Sequence, residues 1–293
     1  MSKKILLLGG NGRVGRYVKD FLEKKFIVKS PSSHDLDITD YSKLNSFISE
    51  FKPEVVVNLV MAPISVDDAE KDENKDLVFK INADSSGEVA RICQKIDAHL
   101  IYFSTAYVFD GQLQTGGYVE EDIKNPLSVY GKSKSKGEDL SLENCSKTTI
   151  IRIEMPYSDS LEGPGDILKT FYKMLFEGQT INALDDQYCT PTFIPDITLA
   201  VSNLIEKGSL GIWHVAGDKT SPFEMASKIA EIGGFSRTQV LPIKFVDYKR
   251  PAPRPQNSCL DSSKYKNEFG VKLHSVDEVI RQFFQNIHEQ TKT

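Results

Sequence analysis

The chain has 293 residues, of which 40% are hydrophobic and 26% charged, as is typical of a globular protein with one large domain or two smaller ones. Its 36 Lys and Arg residues against 41 Asp and Glu residues give a net charge of −5, so electrostatics provides no basis for binding nucleic acid or an anionic membrane. The five histidines show no metal-ligand spacing, and we predict no metal site.

The compartment is predicted from the cysteines and the N-terminus. The four cysteines are scattered, without the spacing of a zinc ribbon or a disulfide framework. The first apolar run passes directly into glycines without a signal-peptide cleavage pattern, and no apolar stretch is long enough to cross a bilayer. We therefore expect a cytoplasmic protein with reduced thiols.

Apolar runs alternate with helical repeats through the first half of the chain. Strands are predicted at 4–8, 26–29, 54–60, 99–103 and 148–153, and helices at 14–22, 44–51, 78–96 and 130–142. Strands that alternate with helices in this way predict right-handed crossovers. The fold class is therefore α/β, with a Rossmann-type doubly wound parallel sheet.

Beyond Glu154 this alternation weakens, because Pro156, Gly163 and Pro164 interrupt it. Helices are predicted at 167–176, 194–206, 223–232 and 273–287, a short strand at 211–215 and an extended loop at 248–255. We expect residues 1–155 to form a dinucleotide-binding domain, with returns to the sheet from about 185–220. Residues 156–293 are expected to form mainly a smaller, mostly C-terminal α/β lobe that binds the substrate.

A glycine-rich turn joins the first predicted strand to the first helix. Gly9 permits a tight turn, Gly12 lets the backbone approach a pyrophosphate, and Gly15 lets the helix pack closely on the strand. The second strand ends without an acidic residue that could accept hydrogen bonds from a ribose 2′-hydroxyl, whereas Arg13 and Lys29 could face a 2′-phosphate. We therefore expect NADP(H) as the preferred cofactor and NAD(H) as the alternative. The other interpretation of Arg13 and Lys29 is that they are ordinary solvated side chains without a role in cofactor binding.

A hydroxyl, a phenol and an amine form the second candidate site. Tyr130 and Lys134 are four residues apart at a predicted helix start and so share one helix face. A nearby cation lowers the pKa of a phenol towards the working pH, and Thr105, just past a strand, could hydrogen-bond the same oxygen. The Tyr-x-x-x-Lys spacing alone could arise by chance, but the three residues together predict a proton-transfer site.

Segments distributed over nearly the whole chain carry a family resemblance. They are 9–15, 36–40, 52–58, 66–70, 104–105, 107–111, 118–122, 125–127, 130–134, 137–138, 191–192, 254–258 and 260–261. In this order they resemble the extended short-chain dehydrogenases/reductases, and within that superfamily the dTDP-4-dehydrorhamnose reductase family. The Val-Phe-Asp-Gly and late Arg-Pro-x-x-Ser elements belong to this branch, whereas the glycines and the Tyr/Lys pair are common to the superfamily.

The resemblance implies NAD(P)H-dependent reduction of the 4-keto group of a nucleotide-linked deoxysugar. By analogy, Tyr130 donates the proton to the carbonyl oxygen, Lys134 binds the nicotinamide ribose and tunes Tyr130, and Thr105 polarises the carbonyl. The resemblance also implies cofactor contacts from Val14, Asp37, Ile38, Asn58, Leu59 and Val60, and substrate contacts from Val66, Thr105, Tyr107, Tyr157 and Arg254.

Two departures from the family pattern bear on the chemistry. Ala106, followed by Tyr107, argues against the related dehydratases, which use an Asp-Glu pair after the Thr. Residues 154–156 read Glu-Met-Pro where the family usually has a Trp or small residues, so the sugar can differ.

Several alternatives stay open at this point. One is a non-catalytic regulatory subunit resembling that of methionine adenosyltransferase, and another is a sugar-nucleotide epimerase. Arg250 and Arg254 either clamp a diphosphate or belong to a structural ion pair. We expect a small-molecule nucleotide sugar as the partner, and whether the chain forms a homodimer is also open.

Overall fold

The structure, a computed structural model, describes residues 2–290. Its strands are β1 (Lys4–Leu8), β2 (Ile27–Lys29), β3 (Val55–Asn58), β4 (His99–Thr105), β5 (Thr148–Ile153), β6 (Ile181–Leu184), β7 (Gly211–His214) and β8 (Val240–Ile243). Its helices are α1 (Gly15–Leu22), α2 (Tyr41–Phe51), α3 (Asp72–Phe79), α4 (Ser85–Lys95), α5 (Val129–Asn144), α6 (Ile167–Phe176), α7 (Ile194–Lys207), α8 (Pro222–Ile232), α9 (Ser263–Phe269) and α10 (Val276–Gln290).

Six parallel strands form the main sheet in the order β2-β1-β3-β4-β5-β7. The central strands are buried on both faces, as their continuous apolar runs predict; all four residues of β3, for example, are buried. The predicted doubly wound α/β fold is therefore confirmed. The strand order reverses between β1 and β3, and ligands of such sheets bind at the carboxyl ends of the strands beside this reversal.

A second, smaller core lies against the two-stranded parallel sheet of β6 and β8. It is built from apolar side chains of α6, α8 and α10, including Leu175, Ile229 and Phe283. The chain returns to the main sheet in between, because β7 pairs with β5. The sequence pattern does not predict β6, β8 or α9, since Asn182 and Pro242 interrupt the two strands and a seven-residue helix is too short to show a clear period.

A π-helical turn at Lys80–Asp84 separates α3 from α4, where the sequence pattern predicts one continuous helix. Asn82 on this turn is buried and accepts a 2.8 Å hydrogen bond from the amide of Ala62. Its side-chain amide donates to the Ser133 hydroxyl at 2.9 Å, and its carbonyl accepts from the Tyr102 hydroxyl at 2.9 Å. The turn therefore ties the loop after β3 to α5, and single π-turns of this kind are frequent at functional sites.

Two kinds of feature are absent from residues 2–290. None of the helices there is long and apolar enough to cross a membrane. Nor does any group of three or more His, Cys, Asp or Glu side chains in that range have the arrangement of a metal site.

Candidate active site

The glycine turn at the start of α1 needs its glycines for steric reasons. Gly9 has a φ of +84°, and a Cβ there would lie 2.9 Å from the carbonyl carbon of Leu59. A Cβ on Gly15 would lie 2.1 Å from the carbonyl oxygen of Gly9. Val14, which precedes α1, provides no side-chain cap, so the first amides of the helix are free of side-chain acceptors. Such a helix start favours an anionic ligand.

The first of three neighbouring cavities, here called the glycine-turn cavity, has a volume of about 460 Å³. Its lining includes Gly9, Gly12, Pro31, Ser32, Ser33, Asp37, Ile38, Leu59, Val60 and Met61. One oxygen of Asp37 accepts hydrogen bonds from the amide and the hydroxyl of Thr39, both at 2.8 Å, and these bonds lower the pKa of Asp37. The carboxylate is therefore ionised and fixed at the edge of the cavity.

Asn58 does not line this cavity, although the resemblance implies a cofactor contact there. Its side chain is fully buried and accepts a 3.1 Å hydrogen bond from the amide of Val60. It also donates to the hydroxyl of Ser86 at 3.3 Å. Asn58 therefore holds the backbone that forms the cavity wall at Leu59 and Val60.

The second cavity, here called the catalytic cavity, has a volume of about 540 Å³. It is lined by most of the remaining predicted residues, namely Arg13, Val14, Gly15, Val66, Thr105, Tyr107, Tyr130 and Lys134. Gly9, Gly12, Leu59 and Met61 line both this cavity and the glycine-turn cavity. The two therefore form one groove along the carboxyl ends of the main-sheet strands.

Helix α5 brings Tyr130 and Lys134 into the catalytic cavity. Ser128 caps the helix by accepting a 3.1 Å hydrogen bond from the amide of Gly131, which fixes where the first turn begins. Tyr130 is half-buried and Lys134 is almost fully buried. Thr105 at the end of β4 hydrogen-bonds Tyr130. The structure thus brings together the three residues predicted to carry out proton transfer.

The expected effect of Lys134 on Tyr130 is not what the structure shows. Burial raises the pKa of Tyr130, and the hydrogen bond from Thr105 opposes this rise. The Lys134 ammonium lies 4.0 Å from the ring centroid of Tyr102, and burial lowers the pKa of Lys134 to about 7. In this conformation desolvation outweighs the predicted tuning, so the phenol of Tyr130 stays protonated at neutral pH.

The third cavity, here called the arginine cavity, has a volume of about 280 Å³ and shares Tyr107 and Met155 with the catalytic cavity. Its lining includes Arg250 and Arg254. Arg254 makes a bidentate ion pair with Asp67, with contacts of 2.7 and 3.0 Å. Of the two alternatives for Arg254, the structure therefore shows the ion pair, while the side chain still borders the cavity.

Besides Asn58, two further predicted site residues lie away from all three cavities, namely Lys29 and Tyr157. The ammonium of Lys29 lies 4.2 Å from the ring centroid of Phe47 and 5.4 Å from that of Phe51, so the side chain packs on α2. Tyr157 has no exposed surface and packs against Phe193 in the second core. The structure therefore places Lys29 against α2 and Tyr157 in the second core, outside the linings of the three cavities.

One cavity residue, Glu154, belongs to the departure from the family pattern at residues 154–156 but is not assigned a site role from the sequence. It follows β5 directly, is 2% exposed and lines the catalytic cavity. Burial raises its pKa to about 7. The available signal was an acidic residue at the carboxyl end of a buried strand, at the edge of the sheet where ligands bind.

The fold and the site together define a class of protein. A Rossmann-type sheet carries a glycine turn at its first crossover, and the same edge of the sheet presents Thr105, Tyr130 and Lys134 in one groove. This combination is that of the extended short-chain dehydrogenases/reductases.

Within that class, the family described as RmlD substrate binding domain matches residues 3–289. The chain belongs to this family, which includes the dTDP-4-dehydrorhamnose reductases. The family is one of NAD(P)-dependent reductases, although some of its members are non-catalytic.

Individual relatives are similar over most of their length. The dTDP-4-dehydrorhamnose reductase of Aggregatibacter actinomycetemcomitans is 30% identical over 283 residues, which cover 92% of this chain and 94% of that protein. The methionine adenosyltransferase 2 subunit beta of Bos taurus is 31% identical over 279 residues, covering 90% and 81%. The crystal structure of dTDP-4-dehydrorhamnose reductase from Bacillus anthracis in complex with NADP has a TM-score of 0.89 and 28% identity, covering 98% of this chain and 100% of that one.

Proposed function

We propose that this protein reduces the 4-keto group of a nucleotide-linked deoxysugar, with NADPH as the preferred reductant. The observation that carries the proposal is the presence of Thr105, Tyr130 and Lys134 in one cavity that is continuous with the glycine turn. The name of the Aggregatibacter relative supports the substrate class.

The residues of the groove fit a nicotinamide dinucleotide. Gly9 and Gly15 leave no room for a Cβ, and the start of α1 is suited to a pyrophosphate. Residues 31–33, which line the cavity after β2, contain no carboxylate that would repel a 2′-phosphate. The NADP bound to the Bacillus anthracis relative supports the same preference. When bound, the reduced nicotinamide supplies a hydride.

The proton step falls to the side chains of this chain. The protonated phenol of Tyr130 donates its proton to the carbonyl oxygen of the substrate, so that the ketone becomes an alcohol once the hydride has added to its carbon. The phenolate that remains is stabilised by the Thr105 hydrogen bond and by the cationic form of Lys134, and it regains a proton from solvent.

Cofactor binding and turnover test the proposal. Titrations with NADPH and with NADH, followed by fluorescence, are expected to show binding of both and at least roughly threefold tighter binding of NADPH. With dTDP-4-keto-6-deoxyglucose as substrate, we expect the protein to oxidise one NADPH for each sugar that it reduces. Failure of the protein to bind either cofactor would contradict the whole proposal.

A second candidate function is that of a binding subunit. The observation in its favour is that the bovine methionine adenosyltransferase 2 subunit beta is as similar to this chain as the reductase relative. A stoichiometric complex with a methionine adenosyltransferase, together with no turnover of any keto sugar, would favour this candidate over the reductase.

A further inference from the structure

Glu154 is a buried carboxylate in the catalytic cavity to which the proposed reaction assigns no role. It lines the cavity together with Thr105, Tyr107 and Tyr130. No cationic side chain among residues 2–290 pairs with it. A buried carboxylate without a cationic partner is costly unless hydrogen-bond donors replace the lost water.

Neutral donors from distant parts of the chain hold this carboxylate in place. Its Oε2 accepts hydrogen bonds from the amide and the hydroxyl of Thr190, at 2.6 and 2.9 Å. Its Oε1 accepts one from the hydroxyl of Ser258. The backbone is fixed as well, because the amide of Glu154 donates to the Thr192 hydroxyl at 3.1 Å and the amide of Thr192 donates to the Glu154 carbonyl at 2.8 Å.

Three of the four acceptor positions of this carboxylate are therefore occupied, and one can still accept a hydrogen bond. A carboxylate oxygen accepts about two hydrogen bonds, so Oε2 is filled by Thr190 whereas Oε1 has capacity for one more donor beside Ser258. The next residue, Met155, has a φ of +39° and lines both the catalytic and the arginine cavities. Left-handed backbone at a non-glycine residue is strained, and such strain is concentrated at ligand sites.

Of the titratable side chains around this part of the cavity, Glu154 and Lys134 change charge near neutral pH, whereas Tyr107, Cys189 and Cys259 do not. Burial raises the pKa of Glu154 to about 7, that of Tyr107 to about 12 and that of Cys259 to about 12, and it raises the pKa of Cys189 well above its usual value. Across the same cavity, Lys134 also has a pKa of about 7. Any pH dependence of ligand binding near pH 7 can therefore come from either Glu154 or Lys134. A substitution of Glu154 alone separates the two contributions.

Arginines lie farther along the same wall. Arg250 and Arg254 lower the pKa of Tyr107, opposing the effect of Glu154 on that phenol. The carboxylate of Asp67 pairs with Arg254, so this charge is already matched. Glu154 thus lines the cavity as a hydrogen-bond acceptor without a cationic partner among residues 2–290.

We propose that Glu154 selects the sugar, its Oε1 accepting a hydrogen bond from a hydroxyl or amino substituent on the ring whose keto group faces Tyr130. This inference rests on the proposed function, since it assumes a nucleotide sugar in the catalytic cavity. A substituent that donates to the carboxylate binds the ionised form, so affinity for the sugar rises as the pH passes upward through about 7.

The substitution Glu154→Gln tests this directly. The amide of Thr190 requires an oxygen at its partner atom, which turns the new NH₂ group towards Ser258 and the sugar. A donor then faces a donor, and the charge no longer changes with pH. Glu121→Gln, at an exposed position, is the matched control.

The experiment measures the dissociation constants of dTDP-6-deoxyglucose, dTDP-3-amino-3,6-dideoxyglucose and dTDP by calorimetry, with NADPH saturating, from pH 6 to pH 8. In the wild type we expect a roughly tenfold gain in affinity over this range for at least one of the two sugars, because the ionised fraction of a group with a pKa of about 7 rises by that factor. A gain for one sugar alone identifies the contacting substituent as the hydroxyl or the amino group at C3, and a gain for both identifies a hydroxyl that the two sugars share. In Glu154→Gln the gain disappears and binding weakens, whereas dTDP, which lacks the hexose, binds the same in both proteins.

The outcomes separate this inference from the proposed function. If wild type and Glu154→Gln bind the sugars with the same pH dependence while NADPH is still oxidised with the keto sugar, the inference fails and the proposed function stands. If the wild type binds no nucleotide sugar, both fail.

Ser258→Ala provides a second test that keeps the carboxylate. Loss of this donor destabilises the ionised form and moves the midpoint of the affinity change to higher pH. An unmoved midpoint would overturn the inference.

Discussion

Gly15 begins α1 so close to the glycine turn that an added Cβ would lie 2.1 Å from the Gly9 carbonyl oxygen and 2.8 Å from Gly10 Cα. Both atoms belong to the backbone, so the clash cannot be relieved by rotation of a side chain. A shift of α1 would then move the amides that are proposed to bind the pyrophosphate. At this position a single methyl group therefore affects both stability and cofactor binding.

We expect Gly15→Ala to lower the free energy of unfolding by about 1–3 kcal/mol and to weaken NADPH binding at least roughly tenfold. Gly165→Ala is the control, because a Cβ there meets no atom within 4 Å. Urea denaturation and fluorescence titration measure the two effects. Equal behaviour of the two variants would show that the turn tolerates the displacement.

The raised pKa of Glu154 also makes the free energy of unfolding depend on pH. Its folded pKa of about 7 lies above the ordinary value of 4.5, so between these pH values the folded state binds more protons than the unfolded state. The free energy of unfolding contributed by this group is therefore fully present below about pH 4.5 and is lost as the pH rises through 7. Lys134, with a lowered pKa, acts in the opposite direction above pH 7.

The prediction is that Glu154→Gln gains stability relative to the wild type as the pH rises from 5 to 7.5. The contribution of Lys134 is the same in both proteins and cancels in the comparison. Urea denaturation at a series of pH values measures the difference. A difference that stays constant with pH would show that Glu154 does not carry the raised pKa.

At the scale of elements, the π-helical turn between α3 and α4 links two parts of the groove. Asn82 holds Ala62, in the loop after β3, and Ser133, which precedes the proposed catalytic Lys134 on α5. Both bonds are buried, so removing the amide leaves a backbone donor and a hydroxyl without these partners.

We expect Asn82→Ala to cost about 2–3 kcal/mol of unfolding free energy and to weaken NADPH binding, since Leu59 to Met61 line the groove just before Ala62. Asn45→Ala, at an exposed position on α2, serves as the control and should stay within about 0.5 kcal/mol of the wild type. A loss no larger than that of the control would mean that the turn does not support the groove.

The elements that the sequence predicted are those with strong local signals. The glycine turn, the capped start of α5 and the buried runs of β1, β3 and β5 depend on residues close together in sequence. β6 and β8 are not predicted because Asn182 interrupts the one and Pro242 the other, so neither strand is a continuous apolar run like β3.

At the scale of the whole molecule, Asp67 from the loop after β3 pairs with Arg254 from the proline-rich loop near the C-terminus. The amide of Ala252 also donates to Asp67 at 3.1 Å. These contacts join chain segments almost two hundred residues apart beside the arginine cavity. The pair therefore fixes the wall against which a nucleotide sugar is proposed to lie.

We expect a double-mutant cycle with Asp67→Asn and Arg254→Gln to give a coupling free energy of about 1 kcal/mol, calculated from the KM values for the keto sugar. NADPH binding should be unchanged, because neither side chain lines the glycine-turn cavity. Neutralising the exposed Asp72 and Lys75 pair provides the control and should leave KM unchanged. Additive effects of the two cavity substitutions would contradict the proposed role of the pair.

Long-range packing also explains which site residues the sequence could not predict. Thr105, Tyr130 and Lys134 belong to recognisable local motifs, whereas the environment of Glu154 comes from Thr190 and Ser258, far away in sequence. The aromatic partners of Lys29, Phe47 and Phe51, can be located only once α2 is placed. The second core, which buries Tyr157, is likewise not evident from the sequence.

The central claim is that Tyr130 supplies the proton in an NADPH-dependent reduction, and single-turnover kinetics of Tyr130→Phe test it most directly. The variant keeps the ring and loses only the hydroxyl. With dTDP-4-keto-6-deoxyglucose we predict a fall of about 100-fold or more in the rate of NADPH oxidation, with the dissociation constant of NADPH changed by less than about threefold. Oxidation by Tyr130→Phe at the wild-type rate would contradict the account.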